Sequence, residues 1–492
     1  MVDDASTDPA VLAVLAEYAR KSRRIRVKFA SKNAGIAATI NRCARMARGE
    51  FMGVLDHDDE MAGDLLFEYI SLITQKPDAG LIYCDEDKID AAGHCCEHWL
   101  KSDWNPDLSL SFNYVMHFAL YRRDLWKKAG GVREAFEGSQ DYDLLLRIAE
   151  LTTGIYHIPK ILYHWRMGEG SIASGPEAKP HIFAKGLAAL NAALVRRGIK
   201  GVAGDAPDAW KGVYRVKREV DRSLSCSLMI LYTGDKVGLS RLLGSIEGSV
   251  LTKNHELIIC GKASLLSDIR NSIGQRDESL QWCAVESDNI PKAFNEGVKR
   301  AGGELLFFLS DSLELIDGDS FDCLLEHAPR DEVGAVGGRV YYANGFVEHG
   351  GVILGPFDIL GYAHRATPDT PGYAGLKHMI CNYSAVMGYG MMTRRHLFLN
   401  AGGFDEVFTT AYWDVDYCLR LRDRGYLITY TPYARLNHHI EVPTLEEMIV
   451  EPDAACFKTR WRQLIDHDPY FNPNFSRKLE SFHYDPQENR LH

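Results

Sequence analysis

Three carboxylates stand within four positions in the segment Asp56-His57-Asp58-Asp59. This segment follows an apolar run at residues 51–55 that is typical of a buried strand in a parallel sheet. Ligands of open α/β sheets bind beyond the carboxyl ends of the strands. Carboxylates at i and i+2, here Asp56 and Asp58, can share one hard divalent cation, and Mg²⁺ usually takes one or two carboxylates together with phosphate oxygens. The segment therefore indicates a metal-diphosphate site, and a solvated acidic turn is the alternative.

Length and charge limit the classes of function. A chain of 492 residues predicts two or three domains. The net charge of -11 and the lack of a basic block give no indication of nucleic-acid binding. A small basic cluster at residues 23–28 is interpreted as solvated surface, with contact to a membrane surface as the alternative. A soluble globular protein that does not bind nucleic acid is predicted.

Cysteine usage and hydropathy predict the compartment. The eleven cysteines are an odd number without a C-x-x-C pair, which is typical of a reduced cytosolic protein. No run of 18 apolar residues predicts a transmembrane helix, and the N-terminus has no apolar signal segment. We expect a cytoplasmic protein, with peripheral contact to the inner face of the membrane as a further expectation.

The chain contains an internal repeat. Gly49-Glu50 corresponds to Gly303-Glu304, each after a predicted helix and before an apolar strand, and Asp141-Tyr142-Asp143 corresponds to Asp414-Val415-Asp416. The offset grows from 254 to 273 between these points, which places about 19 extra residues in the second copy, within residues 345–375. A period this long indicates two homologous domains in tandem rather than a solenoid.

The elements that position these residues are predicted to alternate between helix and strand. Helical spacing is present at residues 11–19, 37–47 and 65–74, and a strand is predicted at 80–83. The predicted organisation is a first α/β domain at residues 1–172, a helical connector at 173–222, a second α/β domain at 223–445 and a tail at 446–492.

Six short polar motifs follow one another in the first copy: Val2-Asp3-Asp4, Asn33-Ala34-Gly35, Asp56-His57-Asp58-Asp59, Tyr83-Cys84-Asp85-Glu86-Asp87, Ser139-Gln140-Asp141-Tyr142-Asp143 and Tyr163-His164-Trp165-Arg166. In order and spacing these motifs resemble the signatures of family-two glycosyltransferases of the GT-A fold. The similarity spans nearly all of residues 1–172 and returns over 224–440, in an arrangement that resembles bacterial tandem glycosyltransferases building surface polysaccharides such as O-antigen. The resemblance implies two GT-A-like α/β domains with mostly parallel sheets.

The resemblance also implies roles for site residues. Sugar would pass from a nucleotide-diphosphate sugar to a glycan or lipid-linked acceptor, with inversion and with Mg²⁺ or Mn²⁺ as cofactor. Asp141 corresponds to the general base, and a helix N-cap pair with Asp143 is the alternative. The remaining roles are implied for Asp3 and Asp4 (base and ribose), Asp56 and Asp58 (metal and donor), His164 (metal, or a structural role) and Arg166 (diphosphate).

Two departures from the family pattern affect these expectations. In the family, the aspartates that Asp3 and Asp4 match end the second strand, so the first domain is expected to lack its N-terminal β-α-β unit. In the second copy, Ser310-Asp311-Ser312 stands where the first has Asp56-His57-Asp58. An acidic turn is thus not required at this position, which favours chemistry in the first copy.

The second domain is expected to be impaired in donor binding. Its remaining candidates are Asp311, Glu314, Asp414 and His438, and it would hold acceptor glycan or brace the first domain. We weigh three interpretations of the whole chain. It is a glycosyltransferase, a binding or scaffold protein of two disabled transferase domains, or another nucleotide-sugar enzyme such as a nucleotidyltransferase.

Overall fold

A computed structural model describes residues 1–168, 181–249, 254–273 and 280–484. The predicted boundary between residues 172 and 173 and residues 485–492 of the predicted tail lie outside the described residues. In the described part of the chain, no helix has the length and apolar character needed to cross a membrane.

The first unit, residues 1–168, begins with a small parallel sheet that is separate from the main sheet. Asp8 starts α1 by accepting a hydrogen bond from Ala10 N, and no residue of α1 is buried. The elements are β1 (Val2–Asp3), α1 (Pro9–Lys21), β2 (Lys28–Phe29), α2 (Ile36–Met46), β3 (Phe51–Gly53), β4 (Glu60–Met61), α3 (Leu65–Gln75), β5 (Leu81–Ile89), β6 (Cys95–Trp99), α4 (Pro106–Ser111), β7 (Ala119–Arg122), α5 (Arg123–Ala129), a 3-10 turn (Glu134–Phe136), α6 (Gln140–Ala149) and β8 (Ile155–Arg166).

The main sheet of the first unit has the strand order β3-β7-β5-β8-β4, with β6 paired to the later part of β5. Only β5 and β8 run parallel, and the other pairs are antiparallel. Strand β5 lies at the centre of this sheet and is buried from Leu81 to Asp87. The later part of β5 therefore holds three acidic residues, Asp85 to Asp87, inside the protein, where each needs a polar or charged partner.

A connector and a larger second unit follow. The connector is a helix and an antiparallel hairpin, α7 (His181–Arg196), β9 (Gly201–Asp205) and β10 (Tyr214–Arg218). The second unit contains β11 (Cys226–Tyr232), α8 (Lys236–Ser249), β12 (His255–Lys262), α9 (Ala263–Ile273), β13 (Leu280–Val285), α10 (Ile290–Val298), β14 (Leu305–Ser310), β15 (Leu313–Leu315), α11 (Ser320–Leu325), β16 (Val333–Tyr342), β17 (Val347–His349), β18 (Val352–Leu354), a 3-10 turn (Pro356–Asp358), β19 (Leu360–Tyr362), a 3-10 segment (Tyr373–His378), β20 (Cys381–Asn382), β21 (Met391–Arg394), α12 (Arg395–Asn400), α13 (Trp413–Arg422) and β22 (Leu427–His438).

The second sheet repeats the first and extends it. Its order is β13-β12-β11-β14-β21-β16-β22-β15, and the last five strands correspond in order to β3-β7-β5-β8-β4. Strand β11 pairs with both β12 and β14. Among the described residues of the first unit, no strand takes the equivalent place between β1 and β3, which leaves β1 and β2 outside the main sheet.

The α/β prediction is confirmed, but the sheets are mixed rather than mostly parallel. Antiparallel strands β7 and β21 lie in the middle of the two sheets. An antiparallel neighbour needs only a short return of the chain, whereas each parallel neighbour requires a crossover connection. The polar ends of β3 and β5 therefore lie on either side of a strand that runs the opposite way.

One hydrophobic cluster spans the two units, beside clusters that belong to one unit each. It combines Tyr83 and Leu145 of the first unit with Tyr383 and Tyr430 of the second, and aromatic residues of the tail pack against them. The tail contains α14 (Leu445–Met448) and α15 (Asp453–Asp466), and α14 begins at the residue where the predicted second domain ends. The predicted tail is thus a packed part of the molecule over residues 446–484.

Candidate active site

A cavity of about 1010 Å³ opens at the polar edge of the first sheet. Its wall contains Asp56 and Asp58 of the loop after β3, His117 before β7 and Asp141 of α6, which are three separate segments of the first unit. A volume of this size is ample for a small ligand held by a few polar groups. The cavity also has an aromatic wall, formed by Trp99, Phe112, Tyr121, Trp126, Tyr142, Trp165, Phe183, Trp210 and Tyr214.

The acidic loop after β3 is held by β8. Asp59 accepts a hydrogen bond from the Tyr163 hydroxyl and another from Arg166 N at 2.9 Å. The Arg166 guanidinium donates to Asp58 O at 2.7 Å and pairs with Glu60. Arg166 therefore anchors the loop in this structure, and its predicted contact with a diphosphate stays a prediction.

Asp56 lies at the inner end of this loop beside His117. Burial raises the pKa of Asp56, the positive charge of His117 lowers it, and the nearby carboxylates Asp59, Asp58 and Asp141 raise it further. His117 Nε2 lies 4.0 Å from Asp56 Oδ2. The ionised form of Asp56 is thus stabilised by a positive charge nearby.

His117 is fixed from its other side. Its ring stacks on Tyr163 with centroids 5.0 Å apart, and its Nδ1 lies 3.7 Å from Glu86 Oε2. Burial alone would lower the pKa of His117, but the nearby carboxylates of Glu86 and Asp56 raise it. Glu86 is in turn paired with the buried Lys101 at 3.1 Å. The two carboxylates therefore favour the positively charged form of the imidazole at the cavity wall.

Asp141 enters the cavity from the first turn of α6. Asn113 Nδ2 donates to Asp141 Oδ2 at 2.8 Å, and the charge of Asp141 acts on both Asp56 and His117. Asp143, two residues on, is fully buried and paired with Arg147 at 2.6 Å and with Arg133. Asp143 therefore supports the helix, while Asp141 faces the cavity.

Three of the predicted site residues lie elsewhere. Asp3 accepts weak hydrogen bonds from Ser6 N at the end of β1. Asp4 accepts hydrogen bonds from Ala34 N, Gly35 N and the Arg42 guanidinium, so its carboxylate holds the start of α2 in place. His164 is bonded to Asp87 at 2.6 Å and belongs to a group on β5, β6 and β8 rather than to the acidic loop. In this structure the ligand atoms of His164 lie with those of Asp87 and Cys95, and the metal roles of Asp56, Asp58 and His164 stay predictions.

The ligand atoms that the structure brings together at the loop are those of Asp56, Asp59 and His117, all within 4.8 Å of one another. Asp58 points outward, with about half of its side chain exposed. The Asp59 carboxylate, and not that of Asp58, lies beside Asp56 and His117, because it accepts a hydrogen bond from the Tyr163 hydroxyl on the inner side of the loop. Two carboxylates and one imidazole fit Mn²⁺ or Mg²⁺ with open coordination positions for phosphate oxygens.

In the corresponding turn of the second unit, the Asp311 side chain is held by backbone hydrogen bonds. The Asp311 carboxylate accepts hydrogen bonds from Thr233 N, Gly234 N and Asp235 N at 2.7–3.2 Å. Asp311 is completely buried. It therefore anchors the loop between β11 and α8, and it is not available to a ligand.

The other second-unit candidates are also paired internally. Glu314 is bonded to His439 at 2.7 Å, His438 to Glu348 at 2.8 Å, and Asp414 accepts hydrogen bonds from Gly388 N and Val415 N. Among the described residues of this unit, no three metal-ligating side chains form a group. The candidates named from the sequence are thus not assembled into one site.

Aromatic residues fill the place that the cavity has in the first unit. The Tyr389 ring packs between Trp413 and His438, with centroids 5.8 and 6.3 Å away. Tyr362, from β19, belongs to the extra segment predicted within residues 345–375 and packs against the same core. The insertion therefore contributes to filling the second site.

His117 is the residue that sequence reasoning missed. It lies three residues after Asn113-Tyr114, and the same dipeptide returns in the second copy as Asn382-Tyr383. Val115-Met116 directly precedes His117, and the matching pair Val386-Met387 directly precedes Gly388, so the second copy has no histidine at this place. A histidine that is present in one copy and absent from the other is a signal of function that the sequence comparison could have used for His117. The same comparison, with Ser310 and Ser312 in place of Asp56 and Asp58, indicated the acidic loop.

With the geometry established, comparison with known proteins identifies the family. Residues 1–130 match the family described as Glycosyl transferase family 2. This part of the chain belongs to that family. An O-antigen biosynthesis protein, RfbC of Myxococcus xanthus, is 33% identical over 485 residues, covering 97% of this chain and 38% of that protein.

One more protein sequence and one solved structure are similar to this chain. The uncharacterized protein y4gI of Sinorhizobium fredii is 34% identical over 500 residues, which cover 98% of this chain and 54% of that protein. The chain thus spans about half the length of this curated relative, or less for RfbC. The solved structure of GalNAc-T7 with UDP, GalNAc and Mn²⁺ aligns with a TM-score of 0.40 at 14% identity, covering 56% of this chain and 54% of that one. That similarity is too low to support an argument about this chain.

Proposed function

We propose that the chain is an inverting, metal-dependent glycosyltransferase whose reaction takes place in the cavity of the first unit. The observation that carries the proposal is the convergence of Asp56, His117 and Asp141 on one aromatic-walled cavity. Family membership of residues 1–130 supports transfer of a sugar from a nucleotide-diphosphate donor. Similarity to an O-antigen biosynthesis protein supports a role in surface polysaccharide synthesis.

Asp141 would accept the proton of the acceptor hydroxyl. The hydroxyl oxygen attacks the anomeric carbon, the bond from that carbon to the diphosphate oxygen breaks, and the nucleoside diphosphate leaves. Attack opposite the leaving group inverts the anomeric centre. Asn113 holds Asp141 Oδ2 at 2.8 Å, which leaves Oδ1 for the acceptor.

Asp56 and Asp59, with His117, would hold Mg²⁺ or Mn²⁺ at the donor side of the cavity, and Asp58 lies on the same wall. A divalent ion bound there offsets the negative charge that develops on the diphosphate as it leaves. Without the ion, the positive charge of His117 lowers the pKa of Asp56; with the ion bound, His117 would be a neutral ligand and the ion would supply the positive charge. The loop itself is kept in place by Tyr163 and Arg166.

The aromatic wall supports a glycan as acceptor. Trp99 stacks on Phe112 with ring centroids 5.4 Å apart, so both rings have fixed orientations. Trp210 and Phe183 come from the connector, which thereby forms part of the cavity. The apolar faces of sugar rings pack well against such rigid aromatic surfaces.

A lipid-linked acceptor at the inner face of a membrane completes the proposal. Helix α3 exposes Leu66, Phe67 and Ile70 to about two thirds of their full extent. These residues stand at i, i+1 and i+4 of the helix that follows the acidic loop, and an exposed apolar surface of this kind supports peripheral contact.

The test compares Asp141 with its own counterpart in the second unit. We expect Asp141→Asn to lower transfer by about a hundredfold or more in the presence of Mn²⁺, since a general base contributes 10²–10⁴-fold. Asp414→Asn is the matched control, because Asp414 starts the equivalent helix but is buried away from the cavity. Transfer is measured as nucleoside diphosphate release from a panel of nucleotide sugars with glycan acceptors.

The outcome separates the enzyme from the scaffold interpretation. Donor binding by calorimetry that persists in Asp141→Asn while turnover is lost supports the assigned base. Equal turnover of wild type and Asp141→Asn would remove Asp141 from the mechanism. Binding of donor or acceptor without turnover in the wild type, across the whole panel, would favour a binding protein.

A further inference from the structure

A second group of metal-ligating side chains lies on strands β5, β6 and β8, apart from the acidic loop. The parallel register places Asp87 of β5 opposite His164 of β8, and the antiparallel β6 brings Cys95 opposite Ile89. Because side chains two positions apart share one face of a strand, Asp87, Cys95 and His164 meet on the same face. The three come from three different strands, which fixes their spacing.

The geometry of this group is close to that of a metal site. His164 Nδ1 lies 2.6 Å from Asp87 Oδ1 and 3.9 Å from Cys95 Sγ. One ligand atom from each of the three residues lies within 4.8 Å of the other two. A tetrahedral ion with Zn–N and Zn–O distances near 2.0–2.2 Å and Zn–S near 2.3 Å needs ligand atoms separated by roughly 3–4 Å.

Two unsatisfied polar atoms point to a missing positive ligand. Asp87 is 1% exposed, and its Oδ2 is buried with no hydrogen-bond partner among the described residues. His98 Nδ1 is likewise buried without a hydrogen bond and lies 3.7 Å from that oxygen. A buried carboxylate oxygen without a partner destabilises the folded protein, and a bound cation would remove that cost.

We propose that Asp87, Cys95 and His164 bind a zinc-class ion, with His98 available beside Asp87. A thiolate, an imidazole and a carboxylate are a typical ligand set for Zn²⁺ or Co²⁺, whereas Mg²⁺ and Ca²⁺ prefer oxygen ligands. The Cys95 thiol loses its proton to solvent when the ion binds. Cys95 is exposed, so the ion has a route to the site.

This site differs in chemistry from the acidic loop. Asp56, Asp59 and His117 provide two carboxylates and one imidazole, without sulfur. The ion at Asp87 would tie β5, β6 and β8 together, and Asp87 and Trp165 also line the cavity. The ion would therefore stabilise the wall of the cavity without taking the place of the donor-side cation.

Cobalt titration of the full chain tests the site. We expect one equivalent of Co²⁺ to give a thiolate-to-cobalt charge-transfer absorbance, and Zn²⁺ to displace it. Cys95→Ser should abolish the absorbance and weaken Zn²⁺ binding, measured by competition with a chromophoric chelator, by at least about tenfold. Cys96→Ser is the matched control, because Cys96 is adjacent in sequence and points to the other face of β6.

The remaining outcomes decide the proposal. Asp56→Asn should keep the absorbance and the Zn²⁺ affinity, since Asp56 belongs to the other group. The proposal is overturned if Cys95→Ser binds both ions as the wild type does, or if the wild type gives no thiolate absorbance. Far-ultraviolet circular dichroism and the Tm of the metal-free variants show that they fold, which the exposure of Cys95 favours.

Discussion

At the scale of single residues, the site depends on one imidazole between two acidic groups. His117 lies between Asp56 and Glu86, and Glu86 is balanced by Lys101 in the core. Burial of these groups makes each charge depend on the next, because an isolated charge is expensive in a low-dielectric environment. The protonation state of Asp56 therefore depends on its burial, which raises its pKa, and on His117, which lowers it.

Replacement of His117 should change the pH dependence of transfer. A positive His117 lowers the pKa of Asp56, so His117→Phe, which keeps a flat ring on Tyr163, should raise that pKa. Since ionised Asp56 is required, the acid limb of kcat/KM against pH should move to higher pH. His94→Gln, in an exposed turn with Asp90, is the control and should leave the profile unchanged. An unshifted acid limb in His117→Phe would contradict the assigned coupling.

At the scale of elements, strand β8 determines which groups meet. It pairs with β5 through residues 81–89 and with β4 through Glu60 and Met61. Near its start, the ring nitrogens of His157 lie 2.8 Å from Asp85 Oδ1 and 3.3 Å from Asp103 Oδ1, and its ring stacks on Tyr83. Asp85 is thus a buried structural group rather than a residue that contacts substrate.

His157 should make stability depend on pH. Burial alone would lower the pKa of His157, but the charge of Asp85 and the hydrogen bond to Asp103 raise it. A folded pKa above the unfolded value of about 6.5 gives stability that is complete below that value and lost as pH rises through the folded pKa. His157→Gln should therefore reduce the difference in Tm between mildly acidic and alkaline buffers. A Tm difference equal to that of the wild type would refute this coupling.

Much of the element pattern could be predicted from sequence, but the register of β8 could not. The helices predicted at residues 11–19, 37–47 and 65–74 correspond to α1, α2 and α3, because their apolar spacing is local information. The β5–β8 pairing contains two irregularities, at Cys84/Asp85 and Asp85/Glu86. Each shift changes which residue lies opposite which, so sequence spacing could not show that His164 meets Asp87 instead of Asp56.

The acidic loop illustrates the same limit. Asp56, Asp58 and Asp141 were all recognised as candidates, and all three line the cavity. The inward turn of Asp59 depends on the Tyr163 hydroxyl, more than a hundred residues away in sequence. A contact of that range follows from tertiary packing and is not encoded in the local pattern of the loop.

At the scale of the whole molecule, a buried polar network joins the two units. Asn105 and Asn382 exchange hydrogen bonds at 2.9 Å through side chain and backbone. Asp107 accepts from Asn382 at 2.8 Å, Thr429 at 2.9 Å and Arg330 at 2.8 Å. Burial would raise the pKa of Asp107, but Arg330 holds it well below its usual range. The first unit is thus fixed to the second by satisfied buried groups.

Loss of one side chain in this network should destabilise the whole chain. Asn382→Ala leaves the Asp107 N–H without its partner and should lower the free energy of unfolding by roughly 1–3 kcal/mol. Asn400→Ala, exposed at the end of α12, is the control and should change it by less than about 0.5 kcal/mol. Urea unfolding followed by tryptophan fluorescence measures both, and equal effects would argue against a role of the network.

The aromatic packing around Tyr389 in the second unit limits which products the proposed enzyme can form. On the proposed function, the described residues offer one donor cleft, because Asp311 and Tyr389 occupy the equivalent region of the second unit. One cleft with one base forms a single type of glycosidic bond in each catalytic cycle. A polymer that alternates two sugars would then need a second catalyst, whereas a homopolymer or a single capping sugar would need only this one.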